Sequence, residues 1–197
     1  MIVTPPILLR LVLIVFVAVL LQLGFFSQVP LLGSVANLLP VVVVALGLLG
    51  GAVTGAVTGF ATGLLIDVMI GGTLGVASLS LMAAGYLAGR WREGYDIVSS
   101  LVPPLLTGAL TALTALIYGA LTLTLGVDAP VSVLALREVV VQGLLGILLA
   151  IPVFPLIRRI VRPALVDDAA AARSRSLRGQ RSSRRGPFGM MRGQGSL

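Results

Sequence analysis

Few residues of this chain have side chains that could take part in acid–base or metal chemistry. The 197 residues include no histidine and no cysteine. Disulfides, thiol nucleophiles and cysteine metal sites are therefore excluded, and the commonest general base and metal ligand is missing. Asp67 is a lone acid at the end of the apolar stretch "GGAVTGAVTGFATGLLIDVMIGGTLG" (50–75). This pattern predicts a protein that is not an enzyme and has no catalytic, cofactor or metal site.

Asp67 has two candidate roles. A charged acid at the centre of a bilayer costs about 2.5–3.5 kcal/mol on insertion scales and usually faces the protein interior. Gly71 and Gly72 form a natural turn just after it, so the carboxylate can cap or pair within that turn. The alternative is a proton or cation relay, which would need several ionisable groups in series. Because the apolar segments hold no such series, a structural role is favoured.

The composition places the chain in a membrane. Hydrophobic residues make up 57% of it, charged residues 11%, and the mean hydropathy is +1.09. Soluble chains carry roughly 25% charged residues, and a soluble domain of this size could not bury so much apolar surface. The sequence therefore predicts an integral membrane protein.

Six apolar segments approach the length of about 20 residues that a spanning helix needs. Because the region from 35 to 70 is too long for one helix and tight for two, a count of five stays open. We expect an all-α polytopic bundle of about six transmembrane helices within residues 1–165. The predicted spans are 7–26, 35–49, 51–70, 74–89, 101–125 and 139–157.

Arginine predicts the orientation. All fourteen basic residues are arginine, and ten of them lie in the last forty positions. The other basic loop, "GRWREGYD" (89–96), lies two helices earlier and thus on the same side of the membrane. Since positive charge stays inside, the C-terminus is expected in the cytoplasm, and six helices place the N-terminus there as well.

Residues 166–197 are rich in Arg, Ser and Gly and are predicted to form a disordered cytoplasmic tail. Its arginines, with those just before it, are expected to attract anionic lipid. Docking of a cytoplasmic partner is the alternative, and nucleic-acid binding is not expected because no RNA-binding motif accompanies them. The arginines concerned are Arg158, Arg159, Arg162, Arg173, Arg175, Arg178, Arg181, Arg184 and Arg185.

Glycine recurs at every fourth position as Gly47, Gly51, Gly55, Gly59 and Gly63, with threonine in parallel at 54, 58 and 62. In lipid, small residues at this spacing let helix backbones approach closely, and threonine hydroxyls can bond across the contact. Helix packing is favoured over a ligand cavity, and the helix over 51–70 is expected to be the most buried. A looser stripe lies in the fifth segment at Gly108, Ala112, Ala115 and Gly119.

The stretch "GFATGLLIDVMIGGTLGVASLSLMAAGYLAG" (59–89) resembles the rod shape-determining membrane protein MreD of bacteria. The resemblance extends over roughly residues 7–157, whereas the arginine-rich tail departs from the compact family pattern. Its most specific residues are Gly63, Leu64, Asp67, Leu74 and Gly75.

This resemblance implies a non-catalytic scaffold in the inner membrane of a rod-shaped bacterium. The implied partners are an MreC-like protein, MreB, RodA and a class B penicillin-binding protein, which together control cell shape and peptidoglycan synthesis. The implied fold is similar to the substrate-binding subunits of energy-coupling-factor transporters. A subunit of such a transporter is therefore the alternative function, although few polar residues lie within the spans to form a ligand site.

Truncation after Val166 should leave the predicted spans inserted in the same orientation, because the bundle does not need the tail to bury its apolar surface. The membrane topology of the truncated and full-length chains is the measurement. An inverted topology in the truncated chain would mean that the tail arginines set the orientation.

Overall fold

The computed structural model describes the backbone of residues 5–183, except 29, 32–33, 72, 95–101 and 127–132, and the side chains of 9–161, with 30–31 and 133–135 as further exceptions. A 3-10 turn (Phe26–Gln28) and a two-residue antiparallel hairpin, β1 (Pro30–Leu31) and β2 (Ser34–Val35), follow the first helix. Within these residues the helices are α1 (Pro5–Gly24), α2 (Leu38–Gly50), α3 (Ala52–Ile70), α4 (Val76–Gly94), α5 (Val102–Thr124) and α6 (Val133–Ser183).

Each predicted span overlaps one of these helices, and the prediction of a helical membrane protein is confirmed. Four stretches of the described chain are long and apolar enough to cross a bilayer: Leu9–Gln28, Ala52–Ile70, Val102–Thr124 and Leu136–Val161. Helix α2 has only 13 residues, a length of about 20 Å. The count of six spans therefore stays a prediction.

A single residue, Gly51, joins α2 to α3. Its φ of 91° is accessible to glycine but strained for other residues, and the chain reverses there. Gly47 and Gly55 lie four residues to either side and come together, since a Cβ built on Gly55 would lie 2.9 Å from the Cα of Gly47. The glycine ladder therefore runs down one helix and up the next.

Gly85 of α4 completes this contact between three helices. A Cβ on Gly47 would lie 2.6 Å from the carbonyl oxygen of Gly85, and one on Gly55 would lie 2.7 Å from its carbonyl carbon. Favourable carbon contacts lie at about 3.5–4.0 Å, so even a methyl group does not fit. We call Gly47, Gly55 and Gly85 the glycine junction.

The ladder continues along the contact between α3 and α4. A Cβ on Gly59 would lie 2.8 Å from the carbonyl carbon of Leu81, and one on Gly63 would lie 2.6 Å from that of Ala77. On α4, Gly89 faces Ala52 with equally little room. Helix α4 is thus the partner of the ladder, and its own small residues take part in the contact.

The most buried helix is α2 rather than α3, so that expectation is wrong. Eleven of the 13 residues of α2 are buried, against eight of the 19 in α3. The reason is that α2 packs against α3, α4, α5 and α6, whereas α3 keeps one face turned outward. Val43, Val44 and Leu46 of α2 are almost fully buried.

The threonines of the ladder do not bond across the helix contact, contrary to expectation. The Thr58 hydroxyl donates to the carbonyl of Thr54 at 2.7 Å, and that of Thr62 donates to Thr58 at 2.6 Å. Hydroxyls bonded within their own helix leave no buried donor unpaired. The close contact thus depends on the missing side chains of the glycines.

Helices α5 and α6 pack closely over only part of the looser small-residue stripe. A Cβ on Gly108 would lie 2.8 Å from the carbonyl oxygen of Gly143, whereas one on Gly119 would meet nothing within 4 Å. The second half of α5 therefore has open space beside it.

The backbone of α6 continues as a helix to Ser183, beyond the predicted end of the last span at 157. Side chains after Val161 lie outside the described residues. The boundary at 165 and the disorder of 166–197 stay predictions.

The glycine junction makes opposite predictions for two Gly→Ala changes. Gly55→Ala should destabilise the bundle by about 1–3 kcal/mol, because it overpacks a backbone contact. Gly119→Ala should be neutral or stabilise by up to about 1 kcal/mol, because alanine favours helix and the site is open. Thermal unfolding of the purified proteins in detergent measures both. Equal stability of the two variants would contradict the conclusion that the glycine junction has no room for a methyl group.

Candidate functional site

Asp67 lies in the last turn of α3 and is only 7% exposed. Its Oδ2 accepts hydrogen bonds from the backbone N–H of Gly75 at 2.9 Å and from the N–H and hydroxyl of Ser78, both at 3.4 Å. These donors belong to the start of α4, whose first N–H groups have no partner within the helix. The carboxylate therefore caps α4 and joins the ends of α3 and α4.

At the opposite end of the hairpin formed by α3 and α4, α4 caps the turn between α2 and α3. The Glu93 Oε1 accepts from the N–H of Ala52 at 3.0 Å, at the start of α3. The Arg92 guanidinium donates to the carbonyl of Leu49, near the end of α2. The negative Glu93 lies at the positive, N-terminal end of the α3 dipole, and the positive Arg92 lies at the negative, C-terminal end of the α2 dipole. From the sequence, this segment was predicted only as a basic loop, and the cap was not predicted, because its partners lie about 40 residues earlier in the chain.

A cavity of about 850 Å³ opens at the end of the bundle where Asp67 lies. The end of α1, the start of α2, the end of α3, the start of α4, the end of α5 and the start of α6 all reach it, because successive helices alternate in direction. Ligand pockets of about 300–1,000 Å³ are usual. Its polar lining residues are Gln22, Ser27, Asn37, Asp67, Thr73, Ser80, Thr114, Tyr118, Glu138 and Gln142.

Polar residues that are far apart in the sequence thus converge on one cavity, which the small number of polar residues within the predicted spans does not indicate. Most lie near a helix end, Thr114 lies in the middle of α5, and several fall outside the apolar stretches that define the spans. Only the folded bundle brings them together. Tyr118, Glu138 and Gln142 carry no motif that would have identified them.

Gln22 connects α1 to the start of α2. Its side-chain oxygen accepts from the N–H of Leu38 at 2.7 Å, and its amide nitrogen donates to the carbonyl of Ala36 at 3.2 Å. Asn37 caps the same helix end, since its Oδ1 accepts from the N–H of Leu39 at 3.2 Å. These two side chains satisfy backbone groups that α2 leaves open inside the bundle.

The charge of the cavity lining is negative. Among the described residues, its acids are Asp67 and Glu138, and no arginine belongs to the lining. Glu138 is exposed and accepts from the Gln142 amide at 3.5 Å. No group of three acidic side chains that could hold a metal occurs among the described residues. The arrangement suits recognition of hydrogen-bond donors.

Three of the five residues that carry the resemblance lie at the contact between α3 and α4. Gly63 packs against α4, and Asp67 bonds to Gly75, whose φ of 100° again favours glycine. The other two, Leu64 and Leu74, are 42% and 65% exposed. They therefore contribute an outward-facing surface and no part of the contact.

The arginines predicted to bind lipid are described only in part. Arg158 and Arg159 are exposed on α6. The side chains of Arg162, Arg173, Arg175, Arg178, Arg181, Arg184 and Arg185 lie outside the described residues.

A family model described as rod shape-determining protein MreD matches residues 4–160 of the chain. No curated protein and no solved structure matches this chain significantly.

Substitutions at Asp67 separate its charge from its hydrogen bonds. Asp67→Ala should cost about 1–3 kcal/mol, because it leaves the N–H groups of Gly75 and Ser78 without their acceptor. Asp67→Asn should cost less, because its amide oxygen can still accept. The free energy of unfolding in detergent is the measurement. Thr124→Ala, which removes an exposed hydroxyl bonded only within its helix, is the control and should stay within about 0.5 kcal/mol of the unsubstituted protein. Equal losses for Asn and Ala would show that the carboxylate charge itself is required.

Proposed function

The chain belongs to the family of the rod shape-determining protein MreD, and on this premise we propose that it is a non-catalytic membrane scaffold of the bacterial elongation machinery. In this role it controls cell shape and peptidoglycan synthesis by binding an MreC-like membrane protein. The family match over residues 4–160 is the observation that carries the proposal.

The architecture supports a scaffold. Three backbones packed at glycine distance leave little freedom for relative helix motion, which suits a surface that must keep its shape. Both ends of the hairpin between α3 and α4 are closed by charged caps, from Asp67 and from Arg92 with Glu93. MreB, RodA and a class B penicillin-binding protein are further proposed members of the same assembly.

The proposed orientation places the arginine-rich end in the cytoplasm and the cavity on the outer side of the inner membrane. Arg90 and Arg92 lie at the end of α4, opposite the end that carries Asp67. The positive-inside rule favours this side for the cytoplasm. Arg158 and Arg159 are exposed on α6 and can contact anionic lipid there.

A second candidate is the substrate-binding subunit of a transporter of the energy-coupling-factor type. One observation favours it: a cavity of about 850 Å³ with polar groups from several helices. In that case the chain would assemble with a coupling subunit and its ATPases.

Isolation of the tagged protein from its native membranes in a mild detergent distinguishes the two functions. We expect an MreC-like protein to co-purify, and we expect cells that lack the chain to lose their rod shape. Gly119→Ala should restore shape and co-purification, whereas Gly55→Ala should restore both less well, because its bundle is destabilised. Recovery of a coupling subunit with ATPases, together with normal shape in cells lacking the chain, would overturn the proposed scaffold role.

A further inference from the structure

We propose that the cavity binds a small organic cation, an ammonium group carried on an apolar body, with Asp67 as its counter-ion. The proposal concerns the cavity alone and does not rest on the scaffold role.

Asp67 is the first reason for this assignment. The hydrogen bonds to its carboxylate all reach Oδ2, and no donor among the described residues reaches Oδ1. The residue lines the cavity and is more than nine-tenths buried. A charge held inside a helical bundle is costly unless it is paired, and no basic side chain among the described residues lines the cavity to pair with it.

The hydroxyl groups of the lining are the second reason. Ser27 donates to Leu23 at 2.7 Å, Ser80 to Ala77 at 3.0 Å and Thr114 to Leu110 at 2.8 Å, in each case to a backbone carbonyl. Because a hydroxyl has one proton and two lone pairs, these groups can only accept from a ligand. These three hydroxyls therefore offer acceptors to a ligand, and an ammonium group has three donors and no acceptor.

The lining side chains and the volume of the cavity indicate the class and size of the ligand. Apolar side chains such as Leu39, Ile66 and Leu81 form much of the lining, and the volume of about 850 Å³ suits a small organic molecule. A bare metal ion would need more acidic ligands than the described residues gather in one place. Among the described residues of the lining, a phosphate-bearing headgroup would meet two carboxylates and no arginine.

The test uses the full-length protein in a neutral maltoside detergent and three primary amines: phenethylamine, tryptamine and phenylbutylamine. The matched alcohols, phenethyl alcohol, tryptophol and phenylbutanol, keep the apolar body and lose the charge. Dissociation constants are obtained from the rise in unfolding temperature with ligand concentration, since a ligand that binds only the folded state stabilises it. At least one amine should raise this temperature, and its alcohol should not.

Acid-to-amide variants then locate the site. Asp67→Asn should weaken amine binding by about tenfold or more, as expected for a charged hydrogen bond. Glu138→Gln, at an exposed position, should weaken it by about two- to fivefold. Glu93→Gln makes the same chemical change at the other end of the bundle and should leave the dissociation constant unaltered.

Three results would overturn the proposal. They are no stabilisation by any of the three amines, equal stabilisation by the alcohols, or undiminished amine binding by a folded Asp67→Asn protein. If Asp67→Asn does not fold, the proposal is tested by comparing the dissociation constants of the amine for Glu138→Gln and Glu93→Gln. Equal dissociation constants in those two variants would then overturn it.

Discussion

The rest of the structure depends on the approach of three helix backbones at Gly47, Gly55 and Gly85. Within a bilayer the hydrophobic effect does not draw helices together, so close packing must hold them. At this junction the missing side chains bring α2, α3 and α4 into backbone contact, and a single methyl group would separate them. Because α2 also packs against α5 and α6, the junction determines where those outer helices lie and therefore where the cavity opens.

The contacts at the helix ends reflect a second constraint. Buried backbone N–H and C=O groups need hydrogen-bond partners where water is scarce. Asp67, Glu93 and Arg92 cap helix ends across the contact between neighbouring helices, and Gln22 serves the short α2 in the same way. Asp67 differs from the others because Oδ2 caps a helix while Oδ1 has no donor among the described residues. One carboxylate can thus belong to both the scaffold and the cavity.

The sequence predicts the helices well because their signals are local. Apolar runs in the sequence located the six helices. A break near residue 50 was predicted, between the spans 35–49 and 51–70. The reversal at a single residue, which pairs Gly47 with Gly55, could not be predicted, since glycine at every fourth position is compatible with one long helix or with two that meet at a glycine. The cavity was missed for a related reason. Its polar side chains belong to different helices, and their convergence depends on which helix lies beside which.

The one-residue turn at Gly51 has a consequence for the assembly of the protein in the membrane. Loops are commonly held on one side of the bilayer by their own positive charges, but residues 38–66, which form α2, this turn and most of α3, contain no charged residue. The positive charge at the turn comes from Arg92, 43 residues after the Leu49 carbonyl to which it donates. The positive charge at this turn is therefore in place only after the end of α4 has been synthesised and has packed beside the turn.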